Sequence, residues 1–201
     1  MMSYQFGYMY FRYFMWNFSG RQNDTQGTGG ALNGNWITGI SFIDEPRLGT
    51  SDMPADMKND PSWNKYYLLP FLLGLAGVFY QLNRDNRNWG IILLLFVMTG
   101  IAIVFYLNQY PNQPRERDYA YVGSFYFYAV WIGLGVLGVF EVLSKLAGEK
   151  IAGPVAGLIC LIAVPAVMAS ENWDDHDRSG RYLARRSEER RVGKECRSRG
   201  S

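Results

Sequence analysis

The nineteen residues Trp89 to Leu107, WGIILLLFVMTGIAIVFYL, hold no charged side chain, and their reading decides the architecture. A helix needs roughly twenty apolar residues to cross a hydrocarbon layer of about 30 Å. In that layer the backbone finds no water, so each N–H and C=O must be satisfied within a helix. Three more runs share this character: Tyr66 to Leu82, Phe125 to Leu143 and Ile151 to Ala169. Glu141 is the one charge inside them, near an end where it reaches the interface. The expectation is an all-α membrane protein with four transmembrane helices over 66–82, 89–107, 125–143 and 151–169.

Aromatic rings gather where the runs meet water: Trp63, Tyr66 and Tyr67 before the first, Trp89 opening the second, Tyr119 to Tyr128 at the third and Trp173 after the fourth. That is the belt expected of amphipathic rings at headgroup depth. The alternative, four buried helices of a soluble protein, fails because so short a chain has too little polar surface to enclose them. A mean hydropathy of −0.13 hides this by averaging a polar first third against an apolar middle.

Outside the runs, Tyr4 to Phe18 (YQFGYMYFRYFMWNF) is dense in aromatics and Met, with Gln5 and Arg12 on nearly one helical face. It reads as a helix lying flat in the interface. Residues 19–65 are rich in Gly, Asn, Asp and Pro without sustained periodicity, an outer loop long enough to be functional. Residues 186–201 (RSEERRVGKECRSRGS) resemble the translation of a sequencing adapter and are read as foreign; they carry six Lys/Arg and three Asp/Glu, so the +2 of the whole chain falls by three to −1 without them. No basic nucleic-acid-binding surface is therefore expected. Met1 to Phe18 lacks the pattern of a signal peptide, and both ends read as truncated. Of the two cysteines, Cys196 lies in the foreign tail and Cys160 in an apolar run, leaving neither a disulfide framework nor a cysteine metal site.

The short connections Asn83 to Asn88 and Ser144 to Lys150 put both hairpins on one side; their Arg84, Arg87, Lys145 and Lys150 favour the cytoplasm. Residues 1–65, 108–122 and 170–185 then face outward. The outer loop NQYPNQPRERDYAY places Arg115, Glu116, Arg117 and Asp118 beside two membrane faces. Paired arginines suit bidentate contact with a lipid phosphate, with Glu116 and Asp118 fixing their geometry; a solvated loop of local ion pairs is the bland alternative. In GRQND, Arg21 and Asp24 are secondary candidates to face one polar cavity, against a helix C-cap at Gly20 followed by a turn. NWDDHDRSGRY surrounds the only histidine, His176, with aspartates, but neighbours in sequence point apart and rarely chelate together, so no metal site is expected. GLGVLG (Gly133 to Gly138) matches a dinucleotide fingerprint inside a membrane helix with no preceding strand, and close helix packing accounts for it better, as it does for Gly74 and Gly77. Pro70, Pro154 and Pro165 mark kinks or helix starts.

Taken together, YMYFRYFMWNFSGRQND, GNWITGI, YYLLPFLLGLAGVFY, YLNQYPNQPRERDYAYVGSFYFYAVWIGLG and NWDDHDRSGRY resemble a bacterial multi-pass family known as domain of unknown function 2723, related to transmembrane protein 260, a protein O-mannosyltransferase. The resemblance spans Met1 to Arg185. It implies part of a C-type glycosyltransferase membrane domain, using a polyprenyl-phosphate-linked sugar on the periplasmic side of a Gram-negative inner membrane, with a protein or glycan acceptor and no bound cofactor. It also implies that the catalytic base lies upstream of Met1, that a soluble region starts at 170–185, and that the fragment is inactive alone. A transporter or lipid flippase is the rival reading, and a structural scaffold a third. On any of them the chain should stay in the membrane pellet after an alkaline carbonate wash; its release would defeat the membrane reading.

Overall fold

The computed structural model describes residues 2–25, 27, 29–110 and 118–176. Among them the chain is mostly helical: α1 (Arg12–Phe18), α2 (Ser41–Leu48), α3 (Ala55–Lys58), α4 (Leu69–Arg84), α5 (Asn86–Thr99), α6 (Ile101–Leu107), α7 (Val122–Ala147), α8 (Glu149–Leu161) and α9 (Val167–His176). A π-helical segment, Tyr4–Phe11, runs into α1, another, Ile162–Ala166, joins α8 to α9, and a 3-10 turn, Asp118–Tyr121, leads into α7. The all-α expectation missed one feature, an antiparallel ribbon of β1 (Gly20–Arg21) and β2 (Asn64–Lys65).

Among the described residues three helical stretches are long and apolar enough to cross a membrane: Asn86–Leu107 with 22 residues, Tyr119–Leu146 with 28 and Glu149–Asp174 with 26. Their outer surfaces are apolar, with Leu94 61% and Leu158 59% exposed, as a helix facing lipid tails requires. The expected run 66–82 is different. Tyr66 donates its N–H to Ser19 O at 3.1 Å, and Tyr67 and Leu68 take left-handed φ values of 53° and 58°. The helix therefore begins only at Leu69, with Pro70 in its first turn, where a missing N–H costs no hydrogen bond. Its 16 residues span roughly 24 Å at 1.5 Å per residue, less than the other three.

Asp85 alone links α4 to α5, its carboxylate accepting the Asn88 N–H at 3.2 Å, and Gly148 alone links α7 to α8. Both hairpin turns lie at one end of the bundle, where Arg84 pairs with Glu141 at 2.9 Å. That ion pair is how the charge inside the third run is accommodated.

Helix α7 is the centre. It packs along α4, α5 and α8. Contacts climb together along α4 and α7, from Gly74 on Tyr128 through Gly77 on Trp131 to Tyr80 on Gly138, so these two helices run parallel. A Cβ at Gly77 would overlap Trp131 O, and one at Gly135 would overlap Leu73 O, so the backbones touch there. The small-residue reading of GLGVLG thus holds at Gly135, whereas Gly133 faces open space. On α8 and the π-helical segment, Ala152, Ala156, Cys160 and Val164 are buried at four-residue spacing, a ridge set against the bundle. Cys160 serves there as a small apolar side chain. Pro165 lies inside the π-helical segment, while Pro154 sits within α8.

The N-terminal segment departs from the flat interfacial helix expected. Tyr10, Phe14 and Phe18 are buried against the bundle, with Phe14 meeting Phe71, Phe96, Phe125 and Tyr128 at centroid distances of 4.8–6.4 Å. Its rings cover α4, α5 and α7 and hold them together. Replacing Gly77 by Ala should lower the thermal unfolding midpoint in detergent by several degrees, since overpacking costs about 1–3 kcal/mol. Gly133→Ala, by contrast, should leave it unchanged or raised; equal effects at the two positions would refute the backbone contact.

Candidate functional site in the polar lobe

The described residues of 19–65 form a lobe on the end of the bundle opposite the hairpin turns, built less from apolar packing than from buried amides and hydroxyls. Ser19, Gln22, Thr38 and Asn64 are fully buried. Each is satisfied, as burial demands. The Ser19 hydroxyl donates to Ile37 O at 2.8 Å, and the Gln22 side chain accepts the Asn35 N–H at 3.2 Å and donates to Ala31 O at 3.1 Å. Thr38 N–H donates to Asp44, and the Asn64 amide lies 3.0 Å from that of Asn172. Three stretches are zipped side by side by Tyr66 N–H to Ser19 O, Ile37 N–H to Gly20 O and Gln22 N–H to Asn35 O, the last at 2.9 Å.

Gly20 is the pivot. The helix ends at Ser19, whose N–H donates to Met15 O at 2.7 Å, and Gly20 is not its left-handed cap but the first residue of β1, at φ 144°. A Cβ there would sit 2.6 Å from Asn64 O and 2.9 Å from Ile37 O. Only glycine lets three strands of chain meet so closely.

Arginines anchor the lobe to the bundle. Arg12, 3% exposed, donates from Nε to Tyr8 O at 2.9 Å and from Nη1 to Gly34 O at 2.7 Å, its guanidinium stacked over the Tyr8 and Trp16 rings. Arg21 pairs with Asp24 at 2.8 Å and lies near the Trp16 ring. Arg21 and Asp24, expected to face one polar cavity, form a local ion pair whose acidic partner is largely exposed. With the Asn64 amide turned so that its oxygen meets Arg21 Nη2 at 2.9 Å, its nitrogen meets Glu171 O at 2.7 Å. Tyr66 Oη donates to Asn172 Oδ1 at 3.0 Å, and Lys65 N–H donates to Glu171 Oε2 at 2.9 Å. GRQND and the start of NWDDHDRSGRY, separate constellations in the sequence, therefore meet through Asn64. Glu171 and Asn172 close the end of the Glu149–Asp174 stretch, so the lobe is fixed at the depth where that helix ends.

The third constellation reaches the same end. Gln5 Nε2 donates to Gln109 O at 2.6 Å and to Asn108 Oδ1 at 3.2 Å, and Tyr10 meets Tyr121 edge-on at 5.5 Å. Arg115, Glu116 and Arg117 lie outside the described residues; Asp118 opens the 3-10 turn. His176 is the last residue of α9, and among the described residues no group of three His, Cys, Asp or Glu side chains is gathered to hold a metal.

Sequence reasoning missed Asn64, Tyr66, Glu171 and Asn172. Their only signal was polar residues at the ends of apolar runs, indistinguishable from ordinary boundaries. No family model, curated protein or solved structure matches the chain.

The exposed partner of the Arg21 pair is Asp24, with 55% of its side chain accessible, so Asp24→Asn should cost under about 1 kcal/mol. Asn64→Leu, which strands buried partners, should cost about 1–3 kcal/mol or more and speed amide exchange in both 19–24 and 171–172. Protection unchanged at 171–172 would show that Asn64 does not join the two segments.

Proposed function

We propose that this chain is the membrane part of a glycosyltransferase that takes its sugar from a polyprenyl-phosphate carrier at the outer face of a bacterial inner membrane, with a protein or glycan as acceptor. In this reading α4 is a fourth crossing, completed by the non-helical residues Tyr66 to Leu68 at headgroup depth. The hairpin turns then face the cytoplasm and the polar lobe the periplasm. Arg115 and Arg117 contact the lipid phosphate, and Glu116 and Asp118 hold them in position. A guanidinium offers a planar fork matched to phosphate oxygens.

One observation carries the reading: GRQND, NWDD and the two flanks of the arginine loop are tied to a single end of the bundle, by Asn64 to Asn172 and by Gln5 to Gln109. A lipid-linked donor presents its phosphate at that depth and its sugar just beyond it. The motif resemblance supports the same chemistry, with polyprenyl-phosphate mannose as the first donor to try.

A photoreactive polyprenyl phosphate added to membranes bearing the chain should label it, and Arg115→Ala or Arg117→Ala should each cut labelling about tenfold, the worth of one or two charge-assisted hydrogen bonds. Labelling equal to wild type in both variants would remove the phosphate role. Movement of the lipid across vesicles without any sugar transfer, by the protein in its native membrane, would favour the flippase instead.

A further inference from the structure

The lobe also contains a cleft of about 180 Å³ that the Arg21 cluster does not use, lined by Gly39, Ser41, Asp44, Thr50, Lys58, Trp63 and Lys65. It lies on the far face of β2: the Lys65 backbone N–H reaches Glu171, while its side chain passes over Gly39 into the cleft. We propose that this cleft seats the anionic phosphate headgroup of a membrane lipid.

Charge gives the first reason. The buried Asp44 carboxylate is already spent, accepting the N–H groups of Thr38 at 2.9 and 3.0 Å and of Gly39 at 2.8 Å. Arg47 approaches it at 3.7 Å. The Thr50 hydroxyl is committed to Glu45 at 2.7 Å. What the cleft offers a ligand is the two ammonium groups of Lys58 and Lys65 with the Ser41 hydroxyl: donors, as a phosphate requires. Lys58 bonds Ser51 O at 2.8 Å and also interacts electrostatically with the Glu45 carboxylate, which still leaves it two N–H donors for a ligand.

Depth gives the second, independent reason, and it selects a lipid over a dissolved anion. Tyr67 stands two residues before α4, and its ring edge lies 3.1 Å from where a Cβ on Gly39 would be. Lys65 and Tyr66 are bonded to Glu171 and Asn172, at the end of a helix long enough to cross the bilayer. The rim of the cleft therefore sits where that helix leaves the hydrocarbon. Next in sequence to the lining residues Gly39 and Ser41, Ile40 is 38% and Phe42 88% exposed, and Tyr67, whose ring adjoins Gly39, is 44% exposed, a costly display in water but one suited to side chains that dip beside acyl chains. Headgroup in the cleft and tail along Ile40, Phe42 and Tyr67 satisfies both features at once. The inference stands on membrane embedding and does not need the transferase reading.

The test uses the full chain in phosphatidylcholine nanodiscs doped with phosphatidylglycerol, extracted into detergent and weighed by native mass spectrometry. Phosphatidylglycerol should stay bound through washes that strip phosphatidylcholine. The double substitution Lys58→Gln with Lys65→Gln should reduce its retention roughly twenty-fivefold, about fivefold for each lysine at a charged lipid surface, with an unchanged unfolding midpoint, while Lys65→Arg retains it. Phe42→Ser, on an exposed side chain that the fold does not need, should weaken retention with both lysines present. Equal retention of the two lipids, or no loss in the double variant, overturns the proposal. So does displacement of phosphatidylglycerol by millimolar inorganic phosphate with no effect of Phe42→Ser, which would mark a site for dissolved anions. Labelling lost in Arg115→Ala but phosphatidylglycerol still retained would separate this site from the transferase donor site.

Discussion

The contact between Gly77 and the Trp131 carbonyl, answered by Gly135 against Leu73 O, is the constraint from which the rest of the arrangement follows. Helices in lipid gain nothing by burying one apolar surface against another, because the tails they displace are equally apolar. What they gain is close van der Waals approach, and that requires side chains small enough for backbones to touch. Helices α4 and α7 are not consecutive, and they run parallel, so no hairpin turn sets their register. The glycines do. Once α4 is seated on α7, Gln81 comes within 2.8 Å of Trp131 Nε1 and Arg84 within 2.9 Å of Glu141, so the polar groups of both helices find partners along the same seam.

Seating α4 also places the lobe. Its chain enters α4 through Tyr66, whose backbone is held by Ser19 and whose hydroxyl is held by Asn172. Among its described residues the lobe has one small apolar cluster of its own, Ile37, Leu48 and Met53 with Trp63 against it. A cluster of that size cannot order almost fifty residues, and the buried amides take over. Asn and Gln carry donors and acceptors together, so they can bridge stretches of chain that no regular sheet connects. The requirement is strict: each bridge missing its partner leaves a buried polar group unpaired. Lobe and bundle are in this sense one structure, joined where Asn64 meets Asn172 and where Arg12 meets Gly34.

The sequence made the spanning helices legible because lipid imposes a one-dimensional rule: twenty apolar residues without charge, with rings at the ends. Trp89 to Leu107 obeys it and became a span within three residues of the expected start. Tyr66 to Leu82 obeys it too, yet its first three residues were drawn out of the helix by the bond to Ser19, a partner 47 residues away that no window sees. Arg21 with Asp24 was readable because the two are three residues apart. The meeting of Arg21, Asn64 and Asn172 was not, since nothing local distinguishes an asparagine that ends a helix from one that joins two halves of a molecule. The N-terminal aromatics misled for a related reason: a ring suits a lipid interface and a protein core equally well, and only the groove above Phe71, Phe96 and Tyr128 decides between them.

Gly100 bears on the choice between an enzyme and a transporter. The stretch Asn86–Leu107 is interrupted there, at φ −118° and ψ −84°, and broken helices are what transporters use to expose backbone to an ion or substrate. Irregular backbone at membrane depth survives only if it is buried in protein or lines a wet cavity. Here it is buried: a Cβ on Gly100 would lie 2.5 Å from Tyr10 Oη and 2.7 Å from Ser124 Cβ, and those two side chains bond each other at 3.1 Å. The break is filled by the N-terminal helix. It lies seven residues before the end of the stretch at Leu107, where the Tyr10 ring also packs against Tyr121 and Phe125. Its consequence is to let Tyr10 dock, which fastens the N-terminal helix and hence the lobe. An interruption occupied in this way by protein side chains fastens the polar lobe over the helix ends opposite the hairpin turns and leaves no freed backbone exposed at Gly100.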